Sequence, residues 1–467
     1  MARPDTWSSF ESFVQSTMRE HSIPGLSVAV MQNGQHLYSG GFGFRNRSEQ
    51  KPATAKTVYG IGSVTKSFAA MAIMILAGEG RLSVGDPVRK HLPEFSFGDG
   101  KVAEAVTVHH FLTHTSALPP TPALKFGMRS HFEAWASSRE MERVQELGLW
   151  DEWTGHPPIE THEHHMDFLK GFDEQPLGRP GQQFSYSNDA FSLLGAIVQR
   201  VSGQSFECFV KKRILDPLHM EAGFHPSWLA GRADVTELYD TNPEGEAVKA
   251  GHWFHAPAMV SAGFLKTSVL DMLRYGQSYL DGSVLQPGAI SQMTAPLYPC
   301  ARDTYYGYGL RVHPNYGGTT VVEHGGSLKG IAAQFGFVLE EGIVAAVLAN
   351  VKDVPVDKVW RGAINPLLGL PMETAWSRPP DCECTREHLA RYTGTYRSGE
   401  GAKVEVILED GELFAMENSE RKALRPTGPN TVGIMRRGEE TEIRFITGPL
   451  GHVDAMYYGL RILRRRR

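Results

Sequence analysis

Two β-rich hairpins stand at opposite ends of a long helical stretch, and this order constrains the fold more than any other feature of the chain. Leu26 to Met31 and His36 to Phe44 are joined by Asn33-Gly34, a dipeptide that tolerates the positive φ angles of a tight hairpin. Ile331 to Leu339 and Ile343 to Val351 form a second pair around Glu340 to Gly342. Strands, then helices, then strands again predict one sheet built from both ends of a domain, with helices packed on it.

The middle supplies those helices. Ser63 to Ala77 carries Phe68, Met71, Ala72, Ile75 and Leu76 at helical spacing and stops near Gly78 and Gly80, so that face must be buried. Asp189 to Val201 repeats the pattern with Phe191, Leu194, Ile197, Val198 and Val201, and Ser268 with Asp271 opens a third helix through a capping-box spacing. Pro119 to Pro180 has Trp135, Trp150, Trp153, Phe168 and Phe172 without clean periodicity, and is expected to be a lid or pocket-lining insertion. Arg378-Pro379-Pro380 breaks the pattern. Beyond it Tyr392 to Tyr396, Lys403 to Leu408, Leu413 to Glu417, Thr431 to Met435, Thr441 to Thr447 and Val453 to Tyr458 read as short strands, with turns at Asp410-Gly411 and Gly448-Pro449. Such a meander needs closure to remove its edges. The expected division is a main domain over 1–376 with an insertion at 119–180, a linker at 377–384, and a β-barrel-like domain over 385–467. The overall class is α/β in the α+β sense.

Composition narrows the partners. At 467 residues, 41% hydrophobic and 21% charged, the chain can build more than one core. A net charge of −5 argues against a nucleic-acid partner. The run Arg464 to Arg467 is the one dense basic patch and is expected to be a frayed, solvated tail. Met1 to Glu20 reads as an amphipathic helix rather than an export signal, and the apolar stretch around Phe68 to Ala77 is too short to span a membrane. A soluble, cytoplasmic protein is expected. Its four cysteines are too few for a disulfide framework, and Cys382 with Cys384 are expected to be ordinary thiols. His162-Glu163-His164-His165 with Asp167 is not a zinc-protease spacing and is expected to be a solvated, loop-like patch, with no metal and no cofactor.

The chemistry concentrates in Tyr59-Gly60-Ile61-Gly62-Ser63-Val64-Thr65-Lys66. Residues three apart share a helix face, so the Lys66 amine can reach the Ser63 hydroxyl. A serine needs a base to take its proton, and a lysine can serve if desolvation or nearby cations lower its pKa. Alone, this pair reads first as a helix cap and a solvent-seeking lysine. Two further segments change the weighting: Tyr186-Ser187-Asn188 directly precedes a helix, and His324-Gly325-Gly326-Ser327 directly precedes the C-terminal hairpin.

Ser-x-x-Lys, then Tyr-x-Asn, then a basic residue followed by glycine, resembles the motif set of the serine β-lactamase and penicillin-binding-protein family, including class C β-lactamases, DD-peptidases and D-aminopeptidases. Phe111 to Ser116, Tyr306 to Gly309 and Val347 to Asn350 are similar to that family too, and the resemblance covers roughly residues 8 to 370. It implies a β-lactamase/transpeptidase-like fold, with Ser63 as acylated nucleophile and Lys66 and Tyr186 as its proton-transfer pair. Asn188 would then hold Lys66 and the substrate amide. The oxyanion hole would be formed by the backbone N–H groups of Ser63 and Ser327, while Gly325 and Gly326 let substrate approach the strand edge. Where many members have lysine this chain has His324, a conditional cation, which counts against ordinary β-lactamase activity. The last residues resemble the lipocalin-like module appended to some members. The expectation is an acyl-enzyme acting on a small ester, amide or peptide. An esterase or D-amino-acid amidase or peptidase ranks above a β-lactamase, a biosynthetic acyltransferase or a non-turnover binding module, and a homo-oligomer is possible.

Overall fold

The computed structural model describes residues 4–135, 155–242, 244–417, 420–436, 438–448 and 451–466. Helix α1 (Pro4–Glu20) leads into the hairpin β1 (Gly25–Gln32) and β2 (Gln35–Asn46), with Asn33 and Gly34 both at positive φ, and then the short β3 (Lys51–Pro52). Six later strands complete the sheet: β4 (Tyr298–Ala301), β5 (Thr304–Tyr306), β6 (Arg311–Tyr316), β7 (Thr319–Leu328), β8 (Ile331–Val338) and β9 (Ile343–Ala349). The nine-stranded order is β3-β2-β1-β9-β8-β7-β6-β5-β4, all antiparallel, with Leu26 opposite Ala349 where the two chain ends meet.

The central strand β9 is apolar at every position because both faces are covered. Val344, Ala346 and Leu348 enter the larger core on the helical side, and Ile343, Ala345, Val347 and Ala349 enter a second core beneath α1, as the two-residue strand period requires. On the helical side lies α2 (Thr65–Gly78), whose residues Thr65 to Leu76 are all buried. A helix apolar all round belongs inside a core. Around it stand α3 (Val108–Leu112), α4 (Ala123–Trp135), α5 (His162–Gly171), α6 (Asn188–Ser202) and α7 (Val269–Asp281), while α8 (Val356–Ile364) covers the opposite face.

The described parts of 119–180 are α4 and α5, which send Phe126, Phe132, Met166, Phe168 and Leu169 into the main core. Trp150 and Trp153 lie outside the described residues. The histidine patch departs from its expected form: it is helical, and His165 is fully buried, bonded through Nε2 to Asp189 (2.8 Å) and through Nδ1 to Ser192 (3.0 Å). Its spacing places His165 and Met166 on the inward face, and the tertiary partners Asp189 and Ser192 make that histidine tolerable in a core. No group of three potential metal ligands occurs among the described residues.

The C-terminal strands close into an eight-stranded antiparallel barrel: β10 (Gly394–Arg397), β11 (Lys403–Glu409), β12 (Glu412–Glu417), β13 (Glu420–Gly428), β14 (Thr431–Arg436), β15 (Glu439–Thr447), β16 (Val453–Tyr458) and β17 (Arg461–Arg466). Two of these strands escape the sequence pattern. β13 is charged and carries Pro426, and β17 contains the supposed tail. Arg464, Arg465 and Arg466 pair with Arg397, Tyr396 and Thr395 to seal the barrel, and Arg466 also meets Glu174 at 2.6 Å. Arg464 to Arg466 are therefore strand rather than a frayed end, because pairing satisfies their backbone whatever their side chains, and Arg467 lies outside the described residues. All four cysteines are free thiols, and no helix among the described residues is long and apolar enough to cross a membrane.

Candidate active site

The barrel docks on the sheet-and-helix body through a small apolar seam in which Ala455, Tyr457 and Ile462 pack near Phe184, Tyr186 and Tyr306. Between the two opens a cleft of about 640 Å³ with Ser63 on its floor. A short 3-10 turn, Gly62–Val64, presents Ser63 just before α2. Gly62 sits at φ +50°, and a Cβ there would lie 2.7 Å from the Ser327 nitrogen, while one on Gly326 would lie 3.1 Å from the Ser63 nitrogen. The turn that carries Ser63 and the strand that carries Ser327 therefore run against each other so closely that only glycine fits at positions 62 and 326.

Lys66 is fully buried on the first turn of α2. Its Nζ lies 2.8 Å from Asn188 Oδ1, 2.6 Å from the Ala262 carbonyl and 3.3 Å from Ser63 Oγ. Burial, reinforced by the Arg461 charge, holds its pKa well below the ordinary lysine value. A neutral amine has two N–H donors and one lone pair. With Lys66 neutral, the amide oxygen and the carbonyl would take both donors and leave the lone pair for the Ser63 hydroxyl. Asn188 opens α6 but does not cap it. Ser187 does, accepting from the Ala190 N–H, so the asparagine side chain is free for Lys66.

Tyr186 is held from both sides. His114, at φ +57°, accepts from Ser185 N–H through its carbonyl (2.9 Å) and from Ser187 N–H through Nδ1 (3.0 Å), and Tyr186 N–H donates to the Leu460 carbonyl of the barrel at 2.9 Å. The Lys66 side-chain nitrogen lies 4.8 Å and the Arg461 guanidinium 5.1 Å from the ring centre. Burial pushes the phenol up to about 12, against the pull of Ser63 and Arg461. Its hydroxyl lies beside Ser63 without the alignment of a full hydrogen bond and has no other partner among the described residues. Such contacts tighten when substrate arrives.

His324 is neutral. Burial and the Arg311 charge lower its pKa to about 3. Its proton can be placed by following the bonds: His114 Nδ1 accepts from Ser187, so His114 Nε2–H donates to Tyr306 Oη (3.2 Å), Tyr306 donates to His324 Nε2 (2.9 Å), and His324 Nδ1–H donates to the Gly325 carbonyl (2.6 Å). Every polar atom of the His324 ring is thereby used inside the protein. Below it the buried Glu323 carboxylate binds Arg311 (2.9 Å), His313 (3.0 Å) and Gln334 (2.6 Å). Burial alone would raise Glu323, but the Arg311 charge and the His313 hydrogen bond outweigh it and hold the carboxyl at about 2.

The structure brings Ser63, Lys66, Tyr186, Asn188, His324, Gly325, Gly326 and Ser327 to one cleft, together with groups the sequence does not single out: Arg311 and, from the barrel, Arg461. Arg461 pairs with Glu400 at 2.5 Å. Neither arginine lies in a recognisable motif, and nothing short of the folded barrel signals that Arg461, among several arginines, enters the cleft.

The beta-lactamase family model matches residues 10–365. Protein flp of Staphylococcus aureus (strain NCTC 8325 / PS 47) is 29% identical over 216 residues, 46% of this chain, and the chain spans 38% of that relative's length. A penicillin-binding protein of Bacillus subtilis (strain 168) is 22% identical over 460 residues, covering 94% of this chain and 93% of the relative. Among solved structures, the octameric penicillin-binding protein homologue from Pyrococcus abyssi superposes with a TM-score of 0.70 at 29% identity, over 98% of this chain and 99% of that one. That likeness takes in the barrel as well as the sheet and helices. With its matched span covering the serine turn, the tyrosine segment and the glycine-lined strand, the chain belongs to the beta-lactamase family.

Proposed function

We propose that this protein is a serine acyl hydrolase or acyltransferase that works through an acyl-enzyme on Ser63. The observation that carries this reading is the buried Lys66 amine, whose hydrogen-bond partners are all uncharged and whose remaining valence faces the Ser63 hydroxyl. Ser63 Oγ attacks an ester or amide carbonyl carbon as Lys66 takes its proton. The oxyanion that develops is met by the N–H groups of Ser63 and Ser327. Tyr186, neutral because its pKa is about 12, relays a proton from Lys66 to the departing alkoxide or amine. Water or another acceptor then releases the acyl group by the reverse transfers.

Leu124, Phe264, Leu328, Val354 and Trp376 line the cleft and favour a substrate with an apolar acyl or leaving group. An esterase or D-amino-acid amidase or peptidase fits this better than a β-lactamase, because His324 offers no cation to a penicillin carboxylate. A fluorophosphonate should add one phosphonyl group to Ser63, located by peptide mapping; labelling that persists in Ser63→Ala removes the assignment. Turnover of p-nitrophenyl esters or D-amino-acid anilides, with nitrocefin left intact, is the expected substrate pattern. Stoichiometric labelling with no turnover of any of them would favour a binding module. By analogy with the octameric Pyrococcus homologue, a homo-oligomer is proposed, and a single monomeric species in sedimentation would refute it.

A further inference from the structure

We propose that Arg461, carried into the cleft by the turn between the last two barrel strands, is the standing cation of the active site and acts as a positioning residue on the Lys66 and Tyr186 pair. The proposal rests on the serine acyl-transfer reading above. It starts from a missing charge: at position 324, where many family members carry a lysine, the histidine ring is neutral and both nitrogens are bonded to Tyr306 and Gly325. Of the other guanidiniums lining the cleft, Arg311 is committed to Glu323 at 2.8 Å, and Arg436 lies over the Tyr458 ring and faces Glu417 at 3.6 Å.

Arg461 is placed where that charge would act. The Leu460 carbonyl accepts from Tyr186 N–H at 2.9 Å, and Ile462 N–H donates to Ser185 Oγ at 3.4 Å, so backbone bonds on both sides of Arg461 register the barrel turn against Tyr186. The guanidinium then lies 5.1 Å from the Tyr186 ring centre. Glu400, also from the barrel, holds it at 2.5 Å, which orients the cation and leaves it poorly available as a simple anion-binding site. The charged and titratable groups around the pair are Asp189 at the start of α6, His114 after α3, Arg311 on β6, Glu323 and His324 on β7, and Arg461 with Glu400 from the barrel. Asp189 is taken up by His165 and Thr121. Among these groups, Arg461 heads the electrostatic influences that lower the Lys66 pKa, and Glu400 and then Asp189 oppose it. Proton transfer from Ser63 needs the neutral amine, so the barrel sets the pH range in which the serine reacts.

The test is the pH profile of the second-order rate of Ser63 labelling by a neutral fluorophosphonate, which needs no knowledge of the substrate and gives a substrate carboxylate nothing to report. In Arg461→Gln the acidic limb should move up by about one pH unit, and labelling below it should slow about tenfold. Arg461→Lys should restore most of the wild-type profile. Glu400→Gln leaves the guanidinium uncompensated and should move the limb the opposite way, to lower pH, which keeps the proposal testable if Arg461→Gln does not fold. Unshifted limbs, or shifts of the same sign in Arg461→Gln and Glu400→Gln, overturn it, as does an effect confined to the KM of carboxylate-bearing substrates. Wild-type protein that is never labelled overturns the acyl-enzyme reading itself, whereas normal labelling with unmoved limbs removes only the role of Arg461.

Discussion

Lys66 and Glu323 are both buried ionisable side chains bonded to residues that line one cleft, yet their partners differ in kind. At the α2 end Lys66 meets an amide oxygen, a carbonyl and a hydroxyl. At the sheet end Glu323 meets Arg311, a histidine and a glutamine amide. The cost of desolvating a charge applies to both. Only Glu323 has a full opposite charge to offset it, so the carboxyl stays ionised with its pKa at about 2 while the Lys66 pKa is driven well below the ordinary lysine value. In the proposed mechanism, the reactive group is the buried one left without a counter-ion.

The most severe challenge to that contrast is Lys66→Met, which removes the base and keeps much of its volume. Labelling of Ser63 should slow by about 10²- to 10⁴-fold, measured by stopped-flow or quenched mass spectrometry, while the melting temperature stays close to that of the wild type. A coincident collapse of the fold would show that Lys66 is structural. Glu323→Gln should do the reverse, leaving an unpaired Arg311 and lowering stability at neutral pH by about 3 kcal/mol, read from urea denaturation. The sign follows from the depressed pKa: stabilisation by the carboxylate is present above the ordinary range near 4.5 and is lost as pH falls toward about 2. The gap between wild type and variant should therefore narrow in acid, and a gap independent of pH would show that the ion pair is not its source. Tyr306→Phe is the mildest cut. It strands His114 Nε2–H and His324 Nε2 without a partner, at a cost of about 1–2 kcal/mol. In the wild type, His324 should stay neutral by nitrogen NMR down to about pH 4. A charged His324 at pH 6 would contradict the chain of donors running from His114 through Tyr306.

The strand order at the domain ends is legible in the sequence because β9 is apolar on both faces and Asn33-Gly34 marks its neighbour's turn. The serine turn is legible because Ser63 and Lys66 share one local helix face. His165 reads wrongly as solvated, since its neighbours Glu163, His164 and Asp167 are polar and its partner Asp189 is visible only in space. β13 and β17 escape notice for a related reason. Barrel closure pairs backbones and tolerates Pro426 and an arginine run that no alternation rule would accept.

Periodicity, turn chemistry and local spacing suffice for the two hairpins in the sheet, the central helix and the three segments that converge on the cleft, whereas the strands at 51–52, 298–301, 304–306, 311–316 and 319–328 are not read from the sequence. Which ionisable groups carry charge, and that Arg461 stands beside Tyr186, emerges only on folding. Charge state depends on solvent exclusion and on partners hundreds of residues away, and neither is written in the order of the residues.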